Sequence, residues 1–129
     1  MIENLNKIKK IFDSGRNVME YLKEADVNQD VDDMVLISYD FQAGSYIIKS
    51  EENPEYEEER ANVYSEIFNN LGGFDSIMEV GVGEGTTFFN VIKKLNNKDV
   101  ASFGFDISYS RIQYGQQYLK SKKMNDSLL

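Results

Sequence analysis

The sequence contains neither cysteine nor histidine. That excludes disulfides, a thiolate nucleophile, an imidazole base and a zinc site of the ordinary kind. Any chemistry must run on carboxylates, hydroxyls, backbone groups or a bound cofactor, and no metal site is expected. Long apolar runs are missing as well. Nothing approaches the roughly 18 apolar residues that a membrane helix needs, and the N-terminus lacks an apolar signal core. A cytoplasmic protein with no membrane partner is therefore expected. Cationic residues are scarce, 14 Lys and Arg against 22 Asp and Glu, for a net charge of -8. Because nucleic-acid affinity comes largely from Lys and Arg displacing counterions, no nucleic-acid partner is expected and a small-molecule substrate fits better. Proline occurs once, and no repeat or low-complexity tract is visible.

What is present suits a folded chain: 129 residues, 41% hydrophobic and 28% charged, is enough for one unit with a core. From about Glu3 to Lys23, apolar residues fall at Leu5, Ile8, Ile11, Phe12, Val18, Met19 and Leu22. This three-and-four spacing predicts an amphipathic helix, with Gly15 imposing a kink or a division into two shorter helices. The stripe suits either core or a homo-oligomer contact through the N-terminal helix. Asp26, Asn28 and Asp30 mimic the first, third and fifth positions of a calcium loop. Val31 stands where that loop needs Gly, however, and Ile37 where it needs a bidentate Glu. A solvated acidic loop is the expectation.

Met34 to Ile37 reads as a short extended apolar segment. The tract Tyr39 to Tyr46 then packs tyrosines, Asp40 and Gly44 together, as a lid or pocket wall would, or simply as core. If the chemistry needs a base, Tyr39, Asp40 and Tyr46 are the candidates. Asn53-Pro54 is a helix start, cap followed by Pro at the first helical position. The acidic run Glu55, Glu57, Glu58, Glu59 sits where the helix dipole favours negative charge. Ala61, Tyr64, Ile67, Phe68 and Leu71 would form the buried face, and Gly72-Gly73 the stop.

The period then changes. Ser76 to Val80 reads as a strand, Gly81 to Gly85 as a glycine loop and Thr86 to Leu95 as a helix. Val100 to Phe105 reads as a second strand and Tyr109 to Lys122 as a second helix. This alternation is the grammar of a parallel sheet with crossover helices.

Ligands of open α/β sheets sit beyond the carboxyl ends of the strands, which places a cofactor at Gly81, Val82, Gly83, Gly85 and Thr86. A dinucleotide loop wants Gly-x-Gly-x-x-Gly, and here Thr86 occupies its third glycine position. Glu79 and Glu84 flank the loop and would repel a pyrophosphate. A cationic cofactor suits the site better, which disfavours a nicotinamide oxidoreductase. Asp106 ends the second strand, 21 positions after Gly85, close to the roughly 20-residue spacing at which an acid reaches a ribose edge.

The pair Glu79-Val-Gly-Val-Gly-Glu-Gly-Thr86 and Gly104-Phe-Asp-Ile-Ser108 resembles the first two motifs of class I S-adenosylmethionine-dependent methyltransferases. The resemblance covers about Ser76 to Ser108. It implies that Glu79 helps hold the methionine amino end, that the glycines contact the methionine portion, that Asp106 binds the ribose, and that Ile107 packs on adenine. It also implies a Rossmann-like α/β fold and transfer of the sulfonium methyl to an acceptor. The tract from Tyr39 to Tyr46 is similar to the aromatic segment before the cofactor loop in some small-molecule members. Domain organisation would be a helical or lid region at 1–71 and, at 72–129, the first two βα units of the cofactor domain. A full domain of that family has a seven-stranded sheet, so the chain is expected to be part of one, a truncated product or a chain that oligomerises. A non-catalytic cofactor-binding or oligomerisation module is the alternative.

Overall fold

In the computed structural model, which describes residues 2–25 and 30–123, the chain divides into two compact units between Gln42 and Ala43. Positions 71 and 72 fall at the end of a helix in the second unit. Asp26 and Asn28 lie outside the described residues. Among those described, no group of acidic side chains is placed to hold a metal ion, and no helix is long and apolar enough to cross a membrane.

The first unit is three helices, α1 (Ile2–Asp13), α2 (Val18–Ala25) and α3 (Val31–Gln42). Gly15, at φ 75°, separates α1 from α2, so the chain takes the division rather than the kink. Ile8, Val18, Leu22 and Met34 are buried together, with Ile11, Phe12, Met19, Ile37 and Phe41 packed against them. The N-terminal stripe thus supplies the unit's own core. The segment expected to be extended at Met34 to Ile37 is helical instead. Asp30 starts that helix by accepting from the Asp32 backbone N–H at 2.8 Å, and Met34, Ile37, Ser38 and Phe41 then follow helical spacing.

The second unit is mixed α/β: α4 (Ser45–Glu52), α5 (Pro54–Leu71), β1 (Ser76–Val80), α6 (Thr86–Lys94), β2 (Ala101–Phe105) and α7 (Tyr109–Ser121). β1 and β2 pair in parallel, Ser76 opposite Ala101 through Val80 opposite Phe105. Ile77, Val82, Phe88, Val91, Leu95 and Ala61 form the core beneath one sheet face. Each large side chain there contributes about 1.5 to 3 kcal/mol by leaving water. A second cluster joins Phe89, Tyr118 and Leu119 to Ile47.

Pro54 occupies the first turn of α5 as expected, but the Asn53 side chain makes no capping hydrogen bond. The buried stripe of α5 is Glu57, Ala61, Ser65 and, partly, Phe68, while Tyr64, Ile67 and Leu71 are exposed. Small Ala61 and Ser65 let α5 lie close on α6, and that approach selects the face. On the sheet's other face Met78, Val80, Phe103 and Phe105 are each more than half exposed.

Candidate functional site

The two strands end side by side, and the turns that follow them are tied together by backbone and carboxylate. Gly81 and Val82 both donate their N–H to the Phe105 carbonyl, at 2.9 and 3.1 Å. Gly83 donates to Asp106 Oδ2 at 2.8 Å, and Ser108 donates to Asp106 Oδ1 at 2.8 Å. Asp106 therefore bridges the loop after β1 to the start of α7. Each of its oxygens keeps acceptor capacity beyond that one bond, and the side chain is only partly buried. Gly81, Gly83 and Gly85 have φ of 72°, 59° and 71°. At Gly81 an added Cβ would meet nothing within 4 Å, so its backbone faces open space.

A cavity of about 720 Å³ opens against this loop. Of the residues read from the sequence, Glu79, Gly81, Val82, Gly83, Thr86 and Tyr46 line it. Gly85 is buried behind it as the residue before α6, and Asp106 joins it through Gly83. Ile107 stands 54% exposed next to Asp106, with a free apolar surface. Tyr39 and Asp40 lie on α3 in the first unit and Tyr46 on α4 in the second. The tract that reads as one lid or wall is thus split between units.

Burial raises the pKa of Glu79 above the usual 4.5, and the Arg60 guanidinium pulls it back down. Burial works against the charge of Arg60 itself, but a hydrogen bond with Tyr64 and the proximity of Tyr56 and Glu57 outweigh it and hold its pKa above the ordinary value. Glu79 and Arg60 thus set one carboxylate and one guanidinium on the same cavity wall.

Glu84 is not a loop-flanking charge aimed at a ligand. Its side chain is fully buried, accepting from the backbone N–H of Gly44 at 3.0 Å and of Ile47 at 2.9 Å. Those amides are the start of α4, where orphan donors and the helix dipole favour an anion. Gly44 sits at φ 90°, a conformation that suits glycine. Arg111 Nε lies 3.8 Å from Glu84 Oε1, an ion pair, and the guanidinium stacks 4.7 Å from the Tyr46 ring centroid. Loop, α4 and α7 are therefore locked through one carboxylate.

Sequence reasoning missed Arg60, Arg111, Lys49, Tyr56 and Glu57, all of which line the cavity. Two signals were available. Arg60 stands alone in an acidic run at helical spacing from Tyr56 and Tyr64. Arg111 is a cation in the first turn of α7, where the dipole disfavours it, so a tertiary partner was required. No family model matches this chain, and neither curated proteins nor solved structures give a match.

Proposed function

We propose that residues 43–129 hold S-adenosylmethionine and that the chain is the cofactor-binding part of a Rossmann-like methyltransferase with a small-molecule acceptor. The observation that carries this reading is the hydrogen bond from Gly83 to Asp106, which puts a glycine loop and a strand-end carboxylate in one place. The loop's donors bear on the class of cofactor. The amides of Gly81, Val82, Gly83 and Gly85 already donate to protein acceptors, so a pyrophosphate would find few N–H groups to cradle it. A ligand with a ribose, a sulfonium centre and an amino-acid tail asks less of those amides.

The residues present fit that ligand. Asp106 has acceptor capacity for ribose hydroxyls, Ile107 offers an apolar surface to a flat base, and bare backbone at Gly81 admits close approach. Glu79 and Arg60 match the ammonium and carboxylate of an amino-acid tail. S-adenosylmethionine would supply an electrophilic methyl already activated for transfer, which leaves positioning as the protein's main task. Buried Glu84 contributes by fixing α4, and with it Tyr46, at the cavity wall.

Calorimetric titration with S-adenosylhomocysteine, beside NAD and beside Asp106→Ala, tests this. Binding of the first ligand alone, weakened roughly ten- to a hundredfold by the substitution, is expected for lost hydrogen bonds to a charged acceptor. Binding of NAD in its place would replace the reading with a dinucleotide site.

A second reading is an assembly module, favoured by the exposed apolar sheet face of Met78, Val80, Phe103 and Phe105. Sedimentation of the wild type beside Phe103→Ser tests it, since only an assembling face makes the mass depend on that residue.

A further inference from the structure

Part of the cavity wall makes none of the cofactor contacts named above. Tyr46 and Lys49 on α4, Tyr56 on α5 and Asn53 between the two helices line it. In a chain of net charge -8, the cavity lining nonetheless balances three cationic side chains against three anionic ones. Each of the anions has a neighbour within the fold. Glu84 takes two amides and Arg111, Glu57 accepts the Thr87 hydroxyl at 2.9 Å, and Glu79 faces Arg60.

Lys49 is different. Its ammonium lies 5.0 Å from the Tyr46 ring centroid and makes no ion pair among the described residues. A cation over a ring keeps its N–H donors for another acceptor. Tyr46 and Tyr56 are 44% and 59% exposed; cations lie over their rings, Lys49 and Arg111 at Tyr46 and Arg60 at Tyr56, so a ligand meets their exposed edges. A position in the last turn of α4 accounts for a cation there, but not for two exposed tyrosines turned to the same cavity.

We propose that this wall takes a small molecule bearing an oxyanion, a carboxylate or a phosphate ester, with its charge on Lys49 and its body against Tyr46 and Tyr56. On the reading above, that molecule is the methyl acceptor. A neutral or cationic acceptor would gain nothing from Lys49.

The test uses the full chain and three probes that share one aromatic body: benzoate, phenyl phosphate and benzamide. Calorimetry is run in low and high salt, and S-adenosylhomocysteine is titrated separately. Benzoate or phenyl phosphate is expected to bind at least about tenfold more tightly than benzamide, with the advantage shrinking as salt screens it. Which of the two binds better identifies the head group. Lys49→Gln, an exposed helical position, should erase the preference, whereas Lys120→Gln, the same charge change on the exposed face of α7, should leave it. Equal binding of benzamide, or a preference that survives Lys49→Gln, overturns the proposal. Oxyanion preference without S-adenosylhomocysteine binding would sink the methyltransferase reading and leave this subsite standing; S-adenosylhomocysteine binding without the preference does the reverse.

Discussion

The two units bury different things. In the first, the buried side chains are Ile8, Val18, Leu22 and Met34, with Ser38 as the buried polar residue among those described. In the second, Glu57, Glu84, Arg111, Thr86, Ser102 and Ser108 are buried alongside the apolar core. Burying a charge is costly unless it is paired and hydrogen-bonded, and a fold that needs only cohesion does without it. Buried charge in the second unit clusters at the glycine loop, where Glu84 and Arg111 both line the cavity. The contrast separates a unit held together by hydrophobic burial from one whose interior also holds charged groups beside a cavity.

The largest effect that would sharpen this contrast is Glu84→Ala. It removes the carboxylate 3.8 Å from Arg111 Nε and takes the acceptor from Gly44 and Ile47. Removing one partner of a buried pair costs about 3 to 5 kcal/mol, measured as a fall in urea midpoint. A loss below about 1 kcal/mol would mean that Glu84 is not the lock. In the first unit, Leu22→Ala should cost about 2 to 4 kcal/mol through lost apolar burial and the cavity left behind, with no change in S-adenosylhomocysteine affinity. A change in affinity would break the division of labour.

Gly81→Ala comes next. The φ of 72° is adverse for a side chain, worth about 1 to 2 kcal/mol, yet the site offers room. The structure should survive while ligand affinity falls, because the methyl occupies space a ligand needs. Glu79 gives the smallest effect, and its sign follows from burial. The folded pKa lies above 4.5, so the native state holds the proton more tightly than the unfolded chain does. Glu79 therefore lowers stability as pH rises from 4.5 through its folded pKa. Glu79→Gln should flatten that part of the stability profile, and it should also remove the gain in affinity for an ammonium-bearing ligand over the same window. A profile identical to wild type would remove Glu79 from the site.

Much of the second unit was legible in the sequence. The change from helical spacing to Ser76–Val80, the three glycines and the second apolar run at Ala101–Phe105 each announce an element through its own residues. The position of Asp106 follows from its place after β2. Legibility failed where packing chose between locally equal options. Met34 to Ile37 is a short apolar run, and periodicity alone does not tell a short buried strand from part of a helix; the Asp30 cap and the core of α1 and α2 made it helix. On α5, Tyr64, Ile67 and Leu71 formed as good an apolar stripe as the one used, but small Ala61 and Ser65 brought the other face onto α6.

By itself the sequence determined which segments become βα units, that a glycine loop follows the first strand, and that an acid ends the second. These depend on turn chemistry and side-chain period over a few residues. Only the tertiary structure decided that Glu84 would serve α4 rather than a ligand, through amides 40 and 37 positions away. It also brought Arg60, Arg111 and Lys49 to one cavity. No local pattern encodes such pairings, because each exists only once packing has brought distant backbone and side chains within hydrogen-bonding reach.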